Sequence, residues 1–204
     1  MFEILKADLG RKRELYHHHA GFFTRWVKNA MDPGALAVIV YRFGNWGHRL
    51  AIPGISQLIA CVYLCLKMPI VLGFGIYIPV RAKIGKGFII HNMNGIFIST
   101  GEIGENCTVQ QGVTIGAIRP NRWDGKPRPP KIGNNVYLGA GAKVLGDVTI
   151  ADNVVVGANS VVLTDTPANV TVMGIPARIV SRHAVSDRAY GMPETKKEEQ
   201  VANS

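Results

Sequence analysis

The sequence predicts a mainly β chain, a left-handed parallel β-helix wound from six-residue units, preceded by an α-helical N-terminal region. One observation lies between Lys131 and Leu163, where apolar residues fall at Ile132, Leu138, Val144, Ile150, Val156 and Val162, and a smaller set at Val136, Ala142, Val148 and Val154 follows four residues behind. A helical stripe returns every 3.6 residues and a half-buried strand every two, so a strict six describes neither. Each unit forms one flat side of a triangular coil. Its marked side chain points into the prism, and the Gly or Ala after most marks lets the backbone turn the corner.

The second observation is that the same ruler fits earlier residues. Ile78, Ile84, Ile90 and Ile96 keep the period, and after one extra residue near 99–102 so do Ile103, Val109 and Ile115. Between Ile115 and Ile132 the phase is lost, and AIRPNRWDGKPRPP from Ala117 to Pro130 reads as a loop leaving the solenoid. The expected organisation is a helical region over 1–76, a β-helix over 77–180 with an excursion at 117–130, and a polar, disordered tail over 181–204.

Taken in order, Phe2 to Tyr16 places apolar residues at helical spacing among charges. His17, His18 and His19 follow, but adjacent helical residues point in different directions, so they read as a solvated helix end and no metal is expected. Asp32 then caps, and Pro33 opens, a helix from Ala35 to Leu50 that carries Tyr41, Arg42, Trp46 and Arg49. Pro53-Gly54 ends it. Ile55 to Met68 is a strongly apolar helix that should stop near Pro69. Its run from Leu58 to Leu66 is short for a membrane span, so it is expected to pack on the solenoid or another subunit, covering unpaired strand edges; peripheral contact with a membrane surface is the alternative.

The chain has 204 residues, 47% of them apolar, and a net charge of +9. That is enough for one domain with a large core and an appendage, and the charge favours acidic partners. No aromatic interleaving of a nucleic-acid-binding signature accompanies it, so no nucleic acid is expected; a phosphorylated cofactor or an anionic membrane surface would use the same charge. Cys61, Cys65 and Cys107 are odd in number and lack metal-ligand spacing, and no signal-peptide pattern opens the chain. Together these read as buried thiols in a reducing, cytoplasmic compartment. A prism filled by its own side chains has no internal cleft, so sites must lie outside it, between coils of neighbouring subunits or beside the excursion loop.

The segments YLGAGAKVLG (Tyr137 to Gly146), VMGIPARIV (Val172 to Val180), ALAVIVYRFGNW (Ala35 to Trp46) and RPPKIG (Arg128 to Gly133) resemble the hexapeptide-repeat acetyltransferases, and among them the serine O-acetyltransferases. The likeness covers about Pro33 to Val180. It implies a homotrimer or a dimer of trimers, acetyl-CoA as co-substrate, a small hydroxyl acceptor and an active site between two subunits. It also implies direct transfer, in which a histidine held by a carboxylate takes the acceptor's proton, the oxygen attacks the thioester and backbone N–H groups hold the oxyanion. The short helical region leaves room for the related sugar and polysaccharide O-acetyltransferases.

The resemblance further implies an Asp-His pair in the first coil, within G-x-G-x-x-x-D-H-x-x-G-[IV]. This chain reads GKGFIIHNMNGI from Gly85 to Ile96, with His91 at the Asp position and Asn92 at the His position. Two readings stay open: a local bulge in HNMN turns His91 into the cleft as base, or Asn92 holds the catalytic position and the protein is a trimeric scaffold without turnover. By the same resemblance Arg128 holds the acceptor's carboxylate, Pro129 replaces a second histidine, and Phe23 falls near the position of an N-terminal acidic residue. Gly139, Ala140 and Gly141 would give coenzyme A an unobstructed outer face, continued one coil up by Gly157 and Ala158. Lys143 would meet a phosphate and Arg178 the adenosine phosphate.

Overall fold

The computed structural model describes residues 1–16, 32–50, 54–99, 101–118 and 128–182. The histidine run 17–19, Phe23, the excursion from 119 to 127 and the tail from 183 lie outside the described residues, and with them the expectations placed there.

The six-residue period folds into a prism of about five turns with three walls. The first wall stacks Lys83–Ile84, Glu102–Ile103, Lys131–Ile132 and Thr149–Ile150 in parallel. The second stacks Ile89–His91, Thr108–Gln110, Tyr137–Leu138, Val155–Val156 and Thr171–Gly174, closed by the antiparallel strand Ala177–Ser181. The third stacks Ile76–Tyr77, Ile96–Ile98, Thr114–Gly116, Lys143–Leu145 and Val161–Val162.

Each wall contributes one ladder of aliphatic side chains to the interior. Ile84, Ile103, Ile132 and Ile150 form one ladder. Ile90, Val109, Leu138, Val156 and Val172 form the next, and Ile98, Ile115, Val144 and Val162 the third, all buried in a single core. At about 1.5–3 kcal/mol for each fully buried aliphatic side chain, these ladders are the main source of stability. Short polar corners join the walls. Asn106, Asn135, Asn153 and Asn169 take the left-handed turn between the first and second walls, with φ of 56°, 53°, 58° and 59°. Their amides stack, Asn135 donating to Asn153 and Asn153 to Asn169 at 2.9 Å each. Asparagine fits because it tolerates the left-handed region and bonds to its copy one coil away.

The ruler slips at a different place from the one the apolar pattern suggests. His91 pairs with Gln110, but Phe97 pairs with Thr114 and Ile98 with Ile115. Two extra residues therefore sit in the corner Asn92–Gly95, and the true inward mark is Ile98 rather than Ile96. Both isoleucines are buried, at 0% and 1% exposure, so an apolar ruler accepts either.

Three helices precede the prism: α1 (Phe2–Tyr16), α2 (Pro33–Arg49) and α3 (Ile55–Phe74). Asp32 caps α2 by accepting from the backbone N–H of Ala35 at 2.8 Å. Arg42 of α2 binds Asp8 of α1 through Nε at 2.9 Å and Nη2 at 3.2 Å, and gives Nη1 to the carbonyl of Ile84 at 2.6 Å. Asp8 in turn accepts from the Phe88 N–H at 2.9 Å. This buried polar knot fastens both helices to the first coil. Contrary to the sequence expectation, α3 runs through Pro69 to Phe74. Proline forfeits one hydrogen bond, but beyond it Ile70 is buried and Phe74 packs against the core, so the helix gains by continuing. Cys61 and Cys65 on α3 are exposed and only Cys107 is buried, which corrects the expectation of three buried thiols.

Candidate active site

The edge between the second and third walls collects most of the residues singled out by sequence. Ile90 points into the prism, so strand alternation sends His91 outward, where it is half-buried. Reading the ladder upward from His91, the next outward positions are Gln110, Gly139, Gly157, Met173 and finally Arg178, paired across the closing antiparallel strand. Five strand spacings at about 4.8 Å make this column roughly 24 Å long. Its middle carries no side chain of its own at Gly139 and Gly157, both buried: a Cβ on Gly139 would lie 2.7 Å from the backbone N of Ala158, and the Met173 side chain leans over Gly157. Ala140–Gly141 and Ala158–Asn159 turn the corner beside it. The predicted residues His91, Gly139, Ala140, Gly141, Ala158 and Arg178 thus share one edge of the prism.

The base of this edge is shaped by the enlarged corner. Asn92, Asn94 and Gly95 have φ of 66°, 90° and 68°. The Asn94 N–H donates to the carbonyl of Phe74 at 2.9 Å, so the end of α3 props this loop outward. Asn92 is exposed and donates through Nδ2 to Gln111 Oε1 at 3.0 Å. The extra residues of HNMN lie after His91, which keeps its regular pairing with Gln110, so the imidazole faces outward by strand alternation and is not turned there by a bulge.

Two groups that the sequence reading missed border His91. Lys12 donates to the carbonyl of Ile90 at 2.7 Å and pairs with Asp32. Burial pushes the Lys12 ammonium below its ordinary range, and the adjacent Asp32 carboxylate pulls it back up. Gly34 follows the Asp32 cap so closely on Ile90 that a side chain there would collide with its carbonyl. A carboxylate, an ammonium and a helix N-terminus are therefore fixed to the strand one residue before His91. One coil up, Gln110 bonds through Nε2 to the hydroxyl of the buried Tyr137. Stacking Ile90 on Val109, as the six-residue period already does, puts Gln110 above His91; nothing in the local sequence points to Lys12.

Lys143 stands just past the Ala140–Gly141 corner, and Arg128 lies on another edge. Lys143 faces outward from the third wall, and its ammonium donates to the Gly112 carbonyl and to Thr114 Oγ1 at 3.0 Å, bonds that fasten successive coils. Arg128 stands on the edge between the third and first walls, where the excursion returns. It is exposed, 3.3 Å from Asp147 Oδ2, and lines an open depression of about 480 Å³ with Arg81, Lys83, Lys131 and Glu102. A single chain does not bring Arg128 to His91, because they occupy different edges of the prism.

Cys107 is no nucleophile: burial pushes its thiol to about 12, and its Sγ faces the Gly133 carbonyl at 3.1 Å. Among the described residues, no three His, Cys, Asp or Glu side chains gather as a metal site. What the edge offers is an outward imidazole at one end of a parallel-stranded column and a guanidinium at the other. That suits a proton acceptor beside an elongated, polyanionic carrier.

The pattern of the bacterial transferase hexapeptide (six repeats) matches residues 129–164. The chain is 39% identical over 154 residues to a serine acetyltransferase of Synechococcus elongatus, a match covering 75% of this chain and 59% of that one. It is 36% identical over 160 residues to a serine acetyltransferase of Helicobacter pylori, covering 78% of this chain and 88% of that one. The crystal structure of serine acetyltransferase in complex with coenzyme A from Brucella abortus superposes with a TM-score of 0.74 at 26% identity, covering 91% of this chain and 69% of that one.

Proposed function

Because this chain belongs to the serine acetyltransferase family of hexapeptide-repeat transferases, we propose that it moves the acetyl group of acetyl-CoA onto the hydroxyl of serine, at a site shared by two chains. It spans 59% of the length of the Synechococcus relative. The reading therefore leans on what this chain's own residues can do.

The observation that carries it is the column from His91 to Arg178. Coenzyme A is a long chain ending in phosphates, and an extended carrier of that kind bonds well to the backbone of parallel strands where no side chain intervenes. In this reading the carrier follows the corner of Ala140, Gly141 and Ala158, where Gly139 and Gly157 add no side chain and Met173, which leans over Gly157, flanks the path. Arg178 meets the adenosine phosphate, and the thioester hangs beside His91. A phosphate role for Lys143 would require it to give up the bonds to Gly112 and Thr114.

His91 accepts the proton of the serine hydroxyl as its oxygen forms a bond to the thioester carbonyl carbon. The tetrahedral intermediate then breaks its C–S bond, and the proton passes from the imidazole to the departing thiolate, leaving O-acetylserine and coenzyme A. The Lys12–Asp32 pair fixes the strand that holds the imidazole. Arg128 reads the carboxylate of serine from the neighbouring chain, since in a threefold assembly the edge of one prism faces a different edge of the next.

The test is acetyl-CoA consumption, followed by loss of thioester absorbance, with serine, with simple sugars and with no acceptor. Turnover with serine alone is expected. Turnover only with a sugar hydroxyl would overturn the acceptor assignment. No turnover with any of them, while coenzyme A still raises the melting temperature, would identify a silent scaffold instead.

A further inference from the structure

Once the His91 edge is assigned, the largest surface left without a role is the outer face of α3. Tyr63 and Ile70 are the buried residues of this 20-residue helix. Its opposite side presents Leu58, Val62, Leu64, Leu66, Met68 and Leu72, between 42% and 80% exposed. The polarity is inverted from that of an ordinary surface helix. Its one charged residue, Lys67, lies on the inner side, over the rings of Tyr77 at 4.5 Å and Tyr63 at 5.5 Å, and the outer side carries none.

Charge around the helix is equally one-sided. From residue 33 to residue 101 the sequence contains no Asp or Glu, yet it carries Arg42, Arg49, Lys67, Arg81, Lys83 and Lys86; Arg42, Lys83 and Lys86 pair with Asp8, Glu102 and Glu105 from outside this stretch. Arg49 and Arg81 are exposed. Their chain neighbours His48 and Val80 line the groove along the N-terminal half of α3 with Gln57 and Ile59. An uncharged, mostly apolar face near the exposed Arg49 and Arg81 fits an anionic bilayer, where acyl chains meet the leucines and lipid phosphates the arginines.

We propose that the outer face of α3 docks this protein, lying in the plane of the surface, on an anionic lipid membrane. The helix is about 30 Å long, enough to cross a bilayer, but it is held flat. Tyr63 packs where Gly44 of α2 has no side chain and Ile59 where Gly47 has none, so crossing would tear α3 from α2. A second copy of the chain fits the face less well. A protein interface carries about one hydrogen bond per 100–200 Å², whereas the only amide on this face, Gln57, already accepts from the Gly54 N–H at 2.7 Å. The proposal stands independently of the acetyl-transfer reading.

The full chain is floated with vesicles of phosphatidylcholine alone and of phosphatidylcholine mixed with phosphatidylglycerol. Flotation with the anionic vesicles only, weakened by added salt, is expected. Leu58→Gln combined with Leu72→Gln, two sites that are 67% and 80% exposed, should lower the bound fraction about tenfold at an unchanged melting temperature. In the unaltered chain, a polarity-sensitive thiol label on Cys61 and Cys65 should shift its emission to the blue on anionic vesicles. No flotation, flotation indifferent to both leucines, or an unshifted label would each overturn the proposal. So would a halved mass of the double variant in vesicle-free buffer, which would make the face a contact between copies.

Discussion

The side-chain amide of Asn92 donates to Oε1 of Gln111 at 3.0 Å, tying the enlarged corner of the first coil to the ordinary corner of the second. Asn92 is thereby committed to architecture, while His91 begins the outward column. His91→Ala is expected to lower kcat by about 10²–10⁴, the usual worth of a general base. Asn92→Ala should keep turnover within a few-fold and cost about 1–2 kcal/mol, from one hydrogen bond and a left-handed backbone position. Acetyl-CoA consumption and thermal melting separate the two; the opposite pattern would place the chemistry on Asn92.

Arg128 pairs with Asp147 in full view of solvent at 3.3 Å, and an exposed pair of this kind is worth at most about 1 kcal/mol. Arg128→Ala should leave the melting temperature alone and raise KM for serine about tenfold or more, with a much smaller effect on a neutral acceptor. Because Arg128 and His91 sit on different edges, co-expressing His91→Ala chains with Arg128→Ala chains should restore activity above that of either variant. Mixtures no more active than their parts would mean that both residues serve one chain.

Ala158 is exposed on the bare corner beside Gly157. A carboxylate there faces the path assigned to a polyanion, so Ala158→Glu should raise KM for acetyl-CoA about tenfold, a penalty near 1.4 kcal/mol. Stability and KM for serine should stay close to the parent values. An unchanged KM for acetyl-CoA would remove the corner from the carrier's path.

The three thiols should fall into two classes. Cys61 and Cys65 are exposed, and a chromogenic disulfide should titrate both in the native protein at pH 8. Cys107, pushed by burial from an ordinary 9.0 to about 12, should react only on unfolding. A thiol raised on folding contributes stability that is complete below its ordinary value and lost as pH rises through its folded value. The Cys107 contribution should therefore fade between about pH 9 and 12. Alkaline melts of the parent and of Cys107→Ala should converge over that window.

The prism was legible because its energy lies in repeated aliphatic ladders, and Ile132, Leu138 and Val144 show that repeat without interruption. The first coil was misread for a physical reason. Its corner length is set by the carbonyl of Phe74 holding Asn94, a tertiary contact from the end of α3, and Ile96 and Ile98 satisfy burial equally. Lys143 looked like a phosphate ligand because sequence shows its charge but not the Gly112 carbonyl that occupies it. Pro69 looked like a stop because the apolar packing of Ile70 beyond it belongs to the tertiary fold. Arg178 joins the His91 wall because the return strand after Gly174 closes it, pairing Arg178 with Met173.

The knot between α1 and the first coil gives the last prediction. Asp8 accepts from Arg42 at 2.9 and 3.2 Å and from the Phe88 N–H at 2.9 Å, and both charged side chains are almost wholly buried. Removing one partner of such a pair leaves the other charge without compensation, at about 3–5 kcal/mol. Asp8→Ala should therefore lower the melting temperature sharply. Asp8→Leu with Arg42→Met, which removes both charges and keeps the volume, should recover much of the loss. The double variant still forfeits the bonds to Ile84 and Phe88, so full recovery is not expected. Thermal melts of the parent, each single variant and the pair give the coupling directly; additive losses would show that α1 is held by its apolar contacts and not by this pair.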